Sequence, residues 1–214
     1  MLKKLLLLIL FTCFVVNTAY SKKVLRFAAD TESGAPYVFA DPLVPTNLIG
    51  FEVDIMQEIA RQIGYDEAVL VQNEWSGLIP GLSRGDYDVA INGLEITQDR
   101  KKVVNFSEPY YITFEQLVVR FDEDKITNLS DLIGKKCGTL KNSLAERILK
   151  SQGGIDVVSY ESEINSFTDL ERGRIDAVLI DHPVALYNAS WQKTLKLVGQ
   201  PIGEVVYGIV IKND

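Results

Sequence analysis

The sequence predicts an α/β protein, and three local patterns indicate this class. The apolar run at residues 89–91 breaks at Gly93 and leads into polar residues. A second apolar run, residues 175–180, ends in Asp181, and Pro183 is placed to open a helix. Residues 51–64 have the periodicity of an amphipathic helix. Because open α/β sheets bind ligands beyond the carboxyl ends of their strands, the polar residues that follow these runs are candidates for a binding site.

The other predicted elements are placed by their apolar patterns and by capping residues. The helix at 51–64 has Phe51, Ile55, Ile59 and Ile63 on one apolar face, with Met56 and Ala60 beside them, and it ends at Gly64. The predicted strands are residues 24–29, 69–72, 116–119, 135–140 and 205–212. Two serines are predicted helix caps: Ser76 before Leu78, Ile79 and Leu82, and Ser143 in the capping box that ends at Glu146.

The N-terminus has the pattern of a secretory signal peptide. Lys3 and Lys4 form a basic region, residues 5–16 are apolar, and residues 19–21 are a small-x-small cleavage site. The alternative is a retained membrane anchor, but an apolar run of about a dozen residues is short for a bilayer. We therefore expect residues 1–21 to be removed and the mature protein to be periplasmic or secreted.

The composition excludes several classes of site. The formal net charge of −7 argues against a nucleic-acid partner, which requires a basic surface. Without the signal peptide only Cys137 remains, so no intrachain disulfide is possible, and His182 is the single histidine. We therefore predict no metal centre. We also expect no cofactor, no catalytic residue and a monomer, while the sequence leaves the oligomeric state open.

Arg100 is the first candidate for ligand binding. Its planar guanidinium can grip a carboxylate through two parallel hydrogen bonds, whereas the neighbouring Lys101 and Lys102 offer only point charges. On spacing alone, a solvated basic patch is equally compatible with this run.

Several long motifs resemble those of the polar amino-acid family of bacterial periplasmic solute-binding proteins. The signature-like stretch is NGLEITQDRKKVVNFSEPYY at residues 92–111, and further stretches lie at residues 48–64, 75–93, 126–148 and 173–187. The resemblance implies an α/β, two-lobed periplasmic-binding-protein fold of type II, in which each lobe is a small mixed sheet flanked by helices. The implied division is lobe 1 at 22–120, lobe 2 at 121–204, and a return strand to lobe 1 at 205–214. The charged segment at residues 120–125 is the candidate hinge.

The resemblance also implies roles for individual residues. Arg100 would clamp the α-carboxylate of an amino acid, with help from Ser143 and neighbouring amides, and Asp181 would hold the α-ammonium. Asp30, Trp75 and Glu95 would shape the side-chain pocket. The remaining candidate binding residues are Asn92, Gly93 and Lys141, the last of which is either a cleft contact or merely exposed.

Each of these residues also has a purely structural interpretation. Asp30 and Asp181 are compatible with turn or helix-cap aspartates, Ser143 with a simple cap, and Trp75 with a core aromatic. Two positions depart from the family pattern. Gly34 lies near the position where family members usually have an aromatic residue. Glu95 lies where serine or threonine is common in the family. A carboxylate so near Arg100 can neutralise it or attract a cationic ligand, which favours a basic or amide side chain.

The predicted function is extracytoplasmic binding of a polar L-amino acid by hinge closure, followed by delivery to the membrane permease of an ABC transporter. One alternative is a periplasmic cyclohexadienyl-type dehydratase on the same scaffold, with Glu95 as a general acid. Another is the ligand-sensing domain of a membrane receptor or the binding half of a transporter fusion. Family members usually continue with further helices, which are apparently missing after Asp214. The sequence leaves open whether the chain is a fragment or natively short.

Overall fold

The computed structural model describes residues 21–32, 34–191 and 193–213. The predicted signal peptide, apart from Ser21, lies outside the described residues. Within the described ranges, no helix is both long and apolar enough to cross a membrane.

Twelve strands and five α-helices make up the described structure, together with three short 3₁₀ turns. The helices are α1 (Phe51–Gln62), α2 (Leu78–Arg84), α3 (Leu144–Gln152), α4 (Glu163–Glu171) and α5 (His182–Trp191). The strands are β1 (Val24–Ala29), β2 (Phe39–Ala40), β3 (Leu48–Ile49), β4 (Glu67–Gln72), β5 (Val89–Ala90), β6 (Val104–Phe106), β7 (Tyr111–Arg120), β8 (Lys136–Leu140), β9 (Asp156–Tyr160), β10 (Ala177–Asp181), β11 (Leu195–Tyr207) and β12 (Val210–Lys212).

The strands form two five-stranded mixed sheets and one small hairpin. The first sheet has the order β4-β1-β5-β12-β6, with β1 parallel to β4 and β5 and with β12 antiparallel to its neighbours. The second has the order β11-β7-β10-β8-β9, with β8 parallel to β9 and β10 and with β7 antiparallel to its neighbours. The predicted α/β class with two small mixed sheets is confirmed.

Helix α1 packs with β1 of the first sheet through one apolar face. Its most buried apolar side chains are Val53, Met56 and Ala60, which pack with Phe27 of β1 in one core cluster. Of the four residues that predicted the helix, three lie at the edge of this buried face and Ile63 is exposed. The periodicity therefore located the helix correctly, and Met56 and Ala60 of the predicted face lie at its buried centre.

The helix starts follow two different patterns. Ser143 caps α3, since its hydroxyl accepts a hydrogen bond from the Glu146 amide at 3.1 Å. The predicted cap at Ser76 is wrong, because a 3₁₀ turn at Trp75–Gly77 leads directly into α2 and no side chain caps that helix. Helix α2 therefore begins directly from the backbone of the 3₁₀ turn, without a capping side chain.

The strand pairing places the crossing between the two sheets earlier in the chain than the sequence indicated. The sequence placed residues 116–119 in lobe 1 and the hinge at 120–125, but β7 pairs with β10 and β11 in the second sheet. The chain therefore changes sheet at residues 107–110, between β6 and β7, and returns at residues 208–209. Residues 205–207 still belong to β11, so the return strand is β12 alone. We propose that the lobe boundary follows these two crossings.

Candidate functional site

The carboxyl ends of parallel strands from the two sheets carry the candidate binding residues. In the first sheet, Asp30 follows β1, Trp75 follows β4, and Asn92 follows β5. In the second sheet, β8 leads into Ser143 and β10 ends at Asp181. Because parallel strands end at the same edge of a sheet, each sheet collects its polar side chains at one edge. Hydrogen bonds join the two edges across a cleft.

Buried hydrogen bonds fix the edge of the first sheet. The Asn92 Oδ1 accepts from the Asp30 amide at 2.8 Å, and the Asn92 carbonyl accepts from the Trp75 indole at 3.2 Å. The Gly93 amide donates to the buried carboxylate of Glu52 at 2.9 Å. Gly93 has φ of 61°, a left-handed conformation that suits glycine. Asn92 and Gly93 therefore shape the edge through interactions that are already complete within the protein.

Glu95 and Arg100 form an ion pair at the centre of the cleft. The Arg100 Nη1 donates to Glu95 Oε2 and, at 3.0 Å, to the Glu95 carbonyl. The exposed side-chain fractions are only 13% for Arg100 and 5% for Glu95. The second oxygen of Glu95 accepts the Leu144 amide, at the first turn of α3, at 2.8 Å. One carboxylate thus joins a guanidinium on the first sheet to a helix N-terminus on the second.

Further contacts of Arg100 hold the two edges together. Its Nη2 donates to the Asn142 carbonyl at 3.3 Å, and its guanidinium lies 5.0 Å from the centre of the Trp75 ring. Asn142 has φ of 62° in the turn before α3, which presents its carbonyl to this arginine and to Arg147. The guanidinium is therefore already engaged by a carboxylate, two carbonyls and an aromatic face.

Asp181 lies at the opposite wall of the cleft beneath two tyrosines. The Tyr37 hydroxyl donates to Asp181 Oδ2 at 3.4 Å and lies 3.0 Å from the hydroxyl of Tyr207. Although Asp181 keeps some residual exposure, burial and, second to it, the negative charge of Glu95 raise its pKa to about 7. The loss of hydration thus outweighs the hydroxyl donors, which favour the ionised form.

Two more acids, Glu115 on β7 and Glu163 at the start of α4, lie around Asp181. Burial is the main cause that raises the pKa of each well above its usual range, and the charge of Asp181 raises both further. Neither carboxylate oxygen of Glu115 makes a hydrogen bond of normal geometry in the described part of the chain. A cation that enters beside these acids stabilises their ionised forms, so this wall of the cleft can receive an ammonium group.

These acids surround a small cavity of about 10 Å³, enough for roughly one water molecule. Its walls are formed by Trp75, Glu95, Glu115, Leu140, Ser143, Ala145, Glu163, Ile180 and Asp181. A neighbouring cavity of about 150 Å³ lies on the other side of Trp75, next to Arg100. The hollow of about 700 Å³ beside β6 lies away from the strand ends that carry the acids, whereas one of about 240 Å³ is lined by Glu163 together with Thr31 and Glu32. The structure therefore represents a closed cleft in which the protein's own side chains fill most of the space.

The predicted site residues differ in their position and in the hydrogen bonds that they already make. Asp30, Trp75, Asn92, Gly93, Glu95, Arg100, Ser143 and Asp181 lie at the two facing strand edges. Lys141 does not line either cleft cavity, because its ammonium is exposed and pairs with Glu161 at 2.5 Å. Ser143 lines the cavity, but its hydroxyl already donates to the Leu140 carbonyl at 2.7 Å while capping α3. The Leu144 amide, not the serine hydroxyl, is the donor that faces the cleft.

Sequence reasoning missed five residues around the cleft, namely Tyr37, Glu52, Glu115, Glu163 and Tyr207. For Glu115 a signal was present, since it is the single acid in this strand and directly precedes Gln116 and the apolar residues 117–119. The two tyrosines carry no comparable local signal, because their approach to Asp181 depends on pairing between distant segments.

Comparisons with known proteins agree with this architecture. A family model described as bacterial extracellular solute-binding proteins, family 3, matches residues 25–204. The L-cystine-binding protein TcyJ of Escherichia coli (strain K12) is 34% identical over 169 residues, which cover 78% of this chain and 63% of that protein. The ABC transporter arginine-binding protein 1 of the same strain is 30% identical over 200 residues, covering 92% of this chain and 78% of that protein. The chain thus spans less than two thirds of the length of the cystine-binding relative.

Solved structures show the same fold. Holo ArgBP from T. maritima matches with a TM-score of 0.83 and 33% identity, covering 89% of this chain and 83% of that one. An ancestral amino acid-binding protein, AncCDT-1, described as a precursor of cyclohexadienyl dehydratase, matches with a TM-score of 0.81 and 28% identity, covering 89% and 82%. The two-lobed periplasmic-binding-protein fold predicted from the sequence is confirmed by these matches.

Proposed function

The chain belongs to the bacterial extracellular solute-binding proteins of family 3, and from this premise we propose that it binds a polar, positively charged amino acid in the cleft between its two sheets. The observation that carries the proposal is the opposition of charges across that cleft. The Arg100 guanidinium and the α3 N-terminus form an anion subsite on one side, and Asp181 with Glu115 and Glu163 forms a cation subsite on the other. Two subsites of opposite sign suit a zwitterion.

The named residues have distinct roles in this proposal. Asp181 accepts the ligand's ammonium, and Trp75 lies between the two cleft cavities, where it can cover the ligand's apolar atoms. Arg100 and the Leu144 amide are the donors for a carboxylate. Glu95 occupies them in the closed structure, so a ligand carboxylate must displace it.

Binding requires the lobes to separate and close again, since the central cavity holds only about 10 Å³. The two crossing segments are the natural hinge, because they run side by side and hydrogen-bond to each other: the Ser107 amide donates to the Ile209 carbonyl at 2.9 Å, and the Tyr110 amide donates to the Tyr207 carbonyl at 3.1 Å. A ligand that touches both sheets binds the closed form better and shifts the population toward it.

The proposed setting is the periplasm, after removal of residues 1–21. There the loaded, closed protein would act as a monomer and deliver its ligand to the membrane permease of an ABC transporter. The proteins to which this chain is similar include arginine- and histidine-binding proteins of bacteria, which supports a small cationic ligand.

The test is thermal unfolding of the purified protein in the presence of each common amino acid at millimolar concentration. A ligand at a thousand times its dissociation constant adds about 4 kcal/mol to the free energy of unfolding. The expected result is a raised midpoint with one or a few amino acids, arginine, lysine and histidine first. The shift should disappear in Asp181→Asn, which keeps the shape of the side chain and removes its charge. A cooperative transition that no amino acid moves would contradict the proposal.

The dehydratase alternative is not favoured by the geometry around its candidate acid. Both oxygens of Glu95 accept hydrogen bonds, one from Arg100 and one from the Leu144 amide, which is the arrangement of an ionised carboxylate and not of a proton donor. Incubation with a cyclohexadienyl acid, followed by absorbance of an aromatic product, separates this alternative from binding. A sensing role is compatible with the same cleft and has the same ligand test.

A further inference from the structure

Glu95 connects the two facing sheet edges through a single carboxylate. Its Oε2 accepts from the Arg100 guanidinium at the edge of the first sheet, and its Oε1 accepts from the Leu144 amide of α3, beside the second sheet, at 2.8 Å. The Glu95 side chain is only 5% exposed. Both hydrogen bonds are charge-assisted, which makes them roughly twice as strong as bonds between neutral groups. Glu95 therefore holds the two edges together from inside the cleft.

The backbone of Glu95 is fixed beside the point at which the chain returns to the first sheet. Glu95 forms an isolated antiparallel bridge with Tyr207, and the amide of the next residue, Ile96, donates to the Val206 carbonyl at 2.8 Å. Because this backbone is anchored next to the proposed hinge, the side chain stays close to the cleft while the lobes move. Its carboxylate thus has a high effective concentration at the two donors.

Other contacts across the cleft are longer or uncharged. The Tyr37 hydroxyl donates to Asp181 Oδ2 at 3.4 Å, which is near the limit for a hydrogen bond. The rings of Phe39 and Tyr187 meet edge to face, with their centroids 5.5 Å apart. The bonds of Glu95 are therefore the ones whose loss should release the two sheets most readily.

Resting on the proposed function, in which Arg100 and the Leu144 amide receive the ligand's carboxylate, we infer that Glu95 is a built-in substitute for that carboxylate. It closes the protein before an amino acid binds, and binding exchanges one carboxylate for the other. Glu95 therefore competes with every amino acid that enters the cleft and lowers the affinity for all of them. Serine or threonine, which is common in the family at this position, has no charge with which to close the cleft in this way.

Removal of the Glu95 carboxylate should have two effects that together distinguish a competitor from a residue that only supports the cleft. The loss of the bridge between the sheets allows the free protein to open. The loss of the competitor leaves both donors available, so that the affinity for an amino acid rises. A residue that only supported the cleft, or that only contacted the ligand, would lower the affinity when it is removed.

The experiment combines small-angle X-ray scattering with isothermal titration calorimetry of L-arginine at pH 8. For the natural protein we expect the same radius of gyration with and without saturating L-arginine. For Glu95→Ser we expect a larger radius in the free protein, which decreases when L-arginine is added. The dissociation constant of this variant should be lower than that of the natural protein by about tenfold or more. L-Lysine and L-histidine are titrated in the same way.

Leu144→Pro tests the other end of the bridge. It removes the amide that both carboxylates use, whereas the helix start is retained, because proline is favoured at the first helical position. The extended backbone of Ser143, with ψ of 170°, suits a residue that precedes proline. This variant should open the free protein as Glu95→Ser does, but it should not bind L-arginine more tightly.

Two further variants control the result. Glu95→Gln keeps the shape of the side chain and removes its charge, so it should act in the same direction as Glu95→Ser and replaces it if that variant does not fold. Glu204→Ser makes the same substitution at an exposed site outside the cleft lining and should change neither the radius nor the affinity.

The inference is overturned if the free Glu95 variant is as compact as the natural protein, or if it binds L-arginine no more tightly. Binding of an amino acid by the natural protein leaves the proposed function standing in either case. Folded natural protein and variants that bind none of the three amino acids overturn both.

Discussion

We expect the affinity for a cationic ligand to fall as the pH is lowered from 8 to 6, because Asp181 takes up a proton in this range. Burial raises the pKa of this carboxyl to about 7, and the ligand's cation binds its ionised form. The ionised fraction is about ten-elevenths at pH 8 and about one-eleventh at pH 6, which corresponds to a roughly tenfold weaker affinity, or about 1.4 kcal/mol. Glu115 and Glu163, whose pKa values are also raised, change the affinity in the same direction.

The sign of this effect follows from proton linkage. The bound cation lowers the pKa of Asp181, so affinity is full above the free-state value of about 7 and is lost as the pH falls below it. Other titratable groups that interact with Asp181 are Tyr37, Glu52, Glu95 and Tyr207.

The assay is calorimetric titration of the tightest ligand at pH 6 in two buffers of different ionisation enthalpy. The difference between the two observed enthalpies gives the number of protons released, which should be about one per ligand bound. Glu52→Gln is the control, because Glu52 also has a pKa of about 7 but lies behind Gly93 and outside the cavity lining. This variant should retain the proton release. A flat affinity between pH 6 and pH 8 with no proton release would refute the assignment of Asp181.

Three further predictions concern stability, each measured by urea denaturation. Arg100→Ala should lower the free energy of unfolding by about 3 kcal/mol, because it leaves the buried carboxylate of Glu95 unpaired. The double variant with Glu95→Ser should recover most of this loss. If the effects of the two substitutions on the free energy of unfolding simply add, the coupling is contradicted. Between pH 5 and pH 8 the free energy of unfolding of the natural protein should fall by up to about 3 kcal/mol more than that of Glu52→Gln. Burial raises the pKa of Glu52 to about 7 in the folded state, so stability is lost as the pH rises toward that value. Parallel pH profiles of the two proteins would refute this. Gly93→Ala should lower the free energy of unfolding by about 2 kcal/mol and Gly85→Ala by about 1 kcal/mol. Both glycines have positive φ, but of the two only Gly93 would bring the new Cβ to 3.2 Å from a buried tyrosine ring. Equal losses in the two variants would argue against that crowding.

The sequence predicted those parts of the fold that depend on local patterns. Strand β1 and the Ser143 cap of α3 were located because apolar runs and capping residues act within a few positions. The sequence did not indicate the crossing between the sheets described above, since that crossing depends on β7 pairing with β10 and β11, whose residues opposite Val118 lie 60 and 79 positions away along the chain. Charged composition at residues 120–125 indicated an exposed turn at the end of that strand and was interpreted as a hinge.

The arrangement of the candidate site was predicted in part for the same reason. Polar residues that follow apolar runs made Arg100 and Asp181 candidates, and their binding roles stay a prediction. Of the two effects considered for Glu95, the structure contains the ion pair with Arg100. The sequence did not indicate that Glu95 also reaches the Leu144 amide, because that contact joins the two sheets. Nor did it indicate that the Ser143 hydroxyl is already used inside its own turn.

The most direct test of the proposed site is a crystal structure of the protein grown with saturating L-arginine. The account predicts electron density in the cleft with a cationic group within hydrogen-bond distance of Asp181, and with the ligand carboxylate in place of Glu95 at Arg100 and the Leu144 amide. Density at another surface, or a ligand whose cation avoids Asp181, would contradict it.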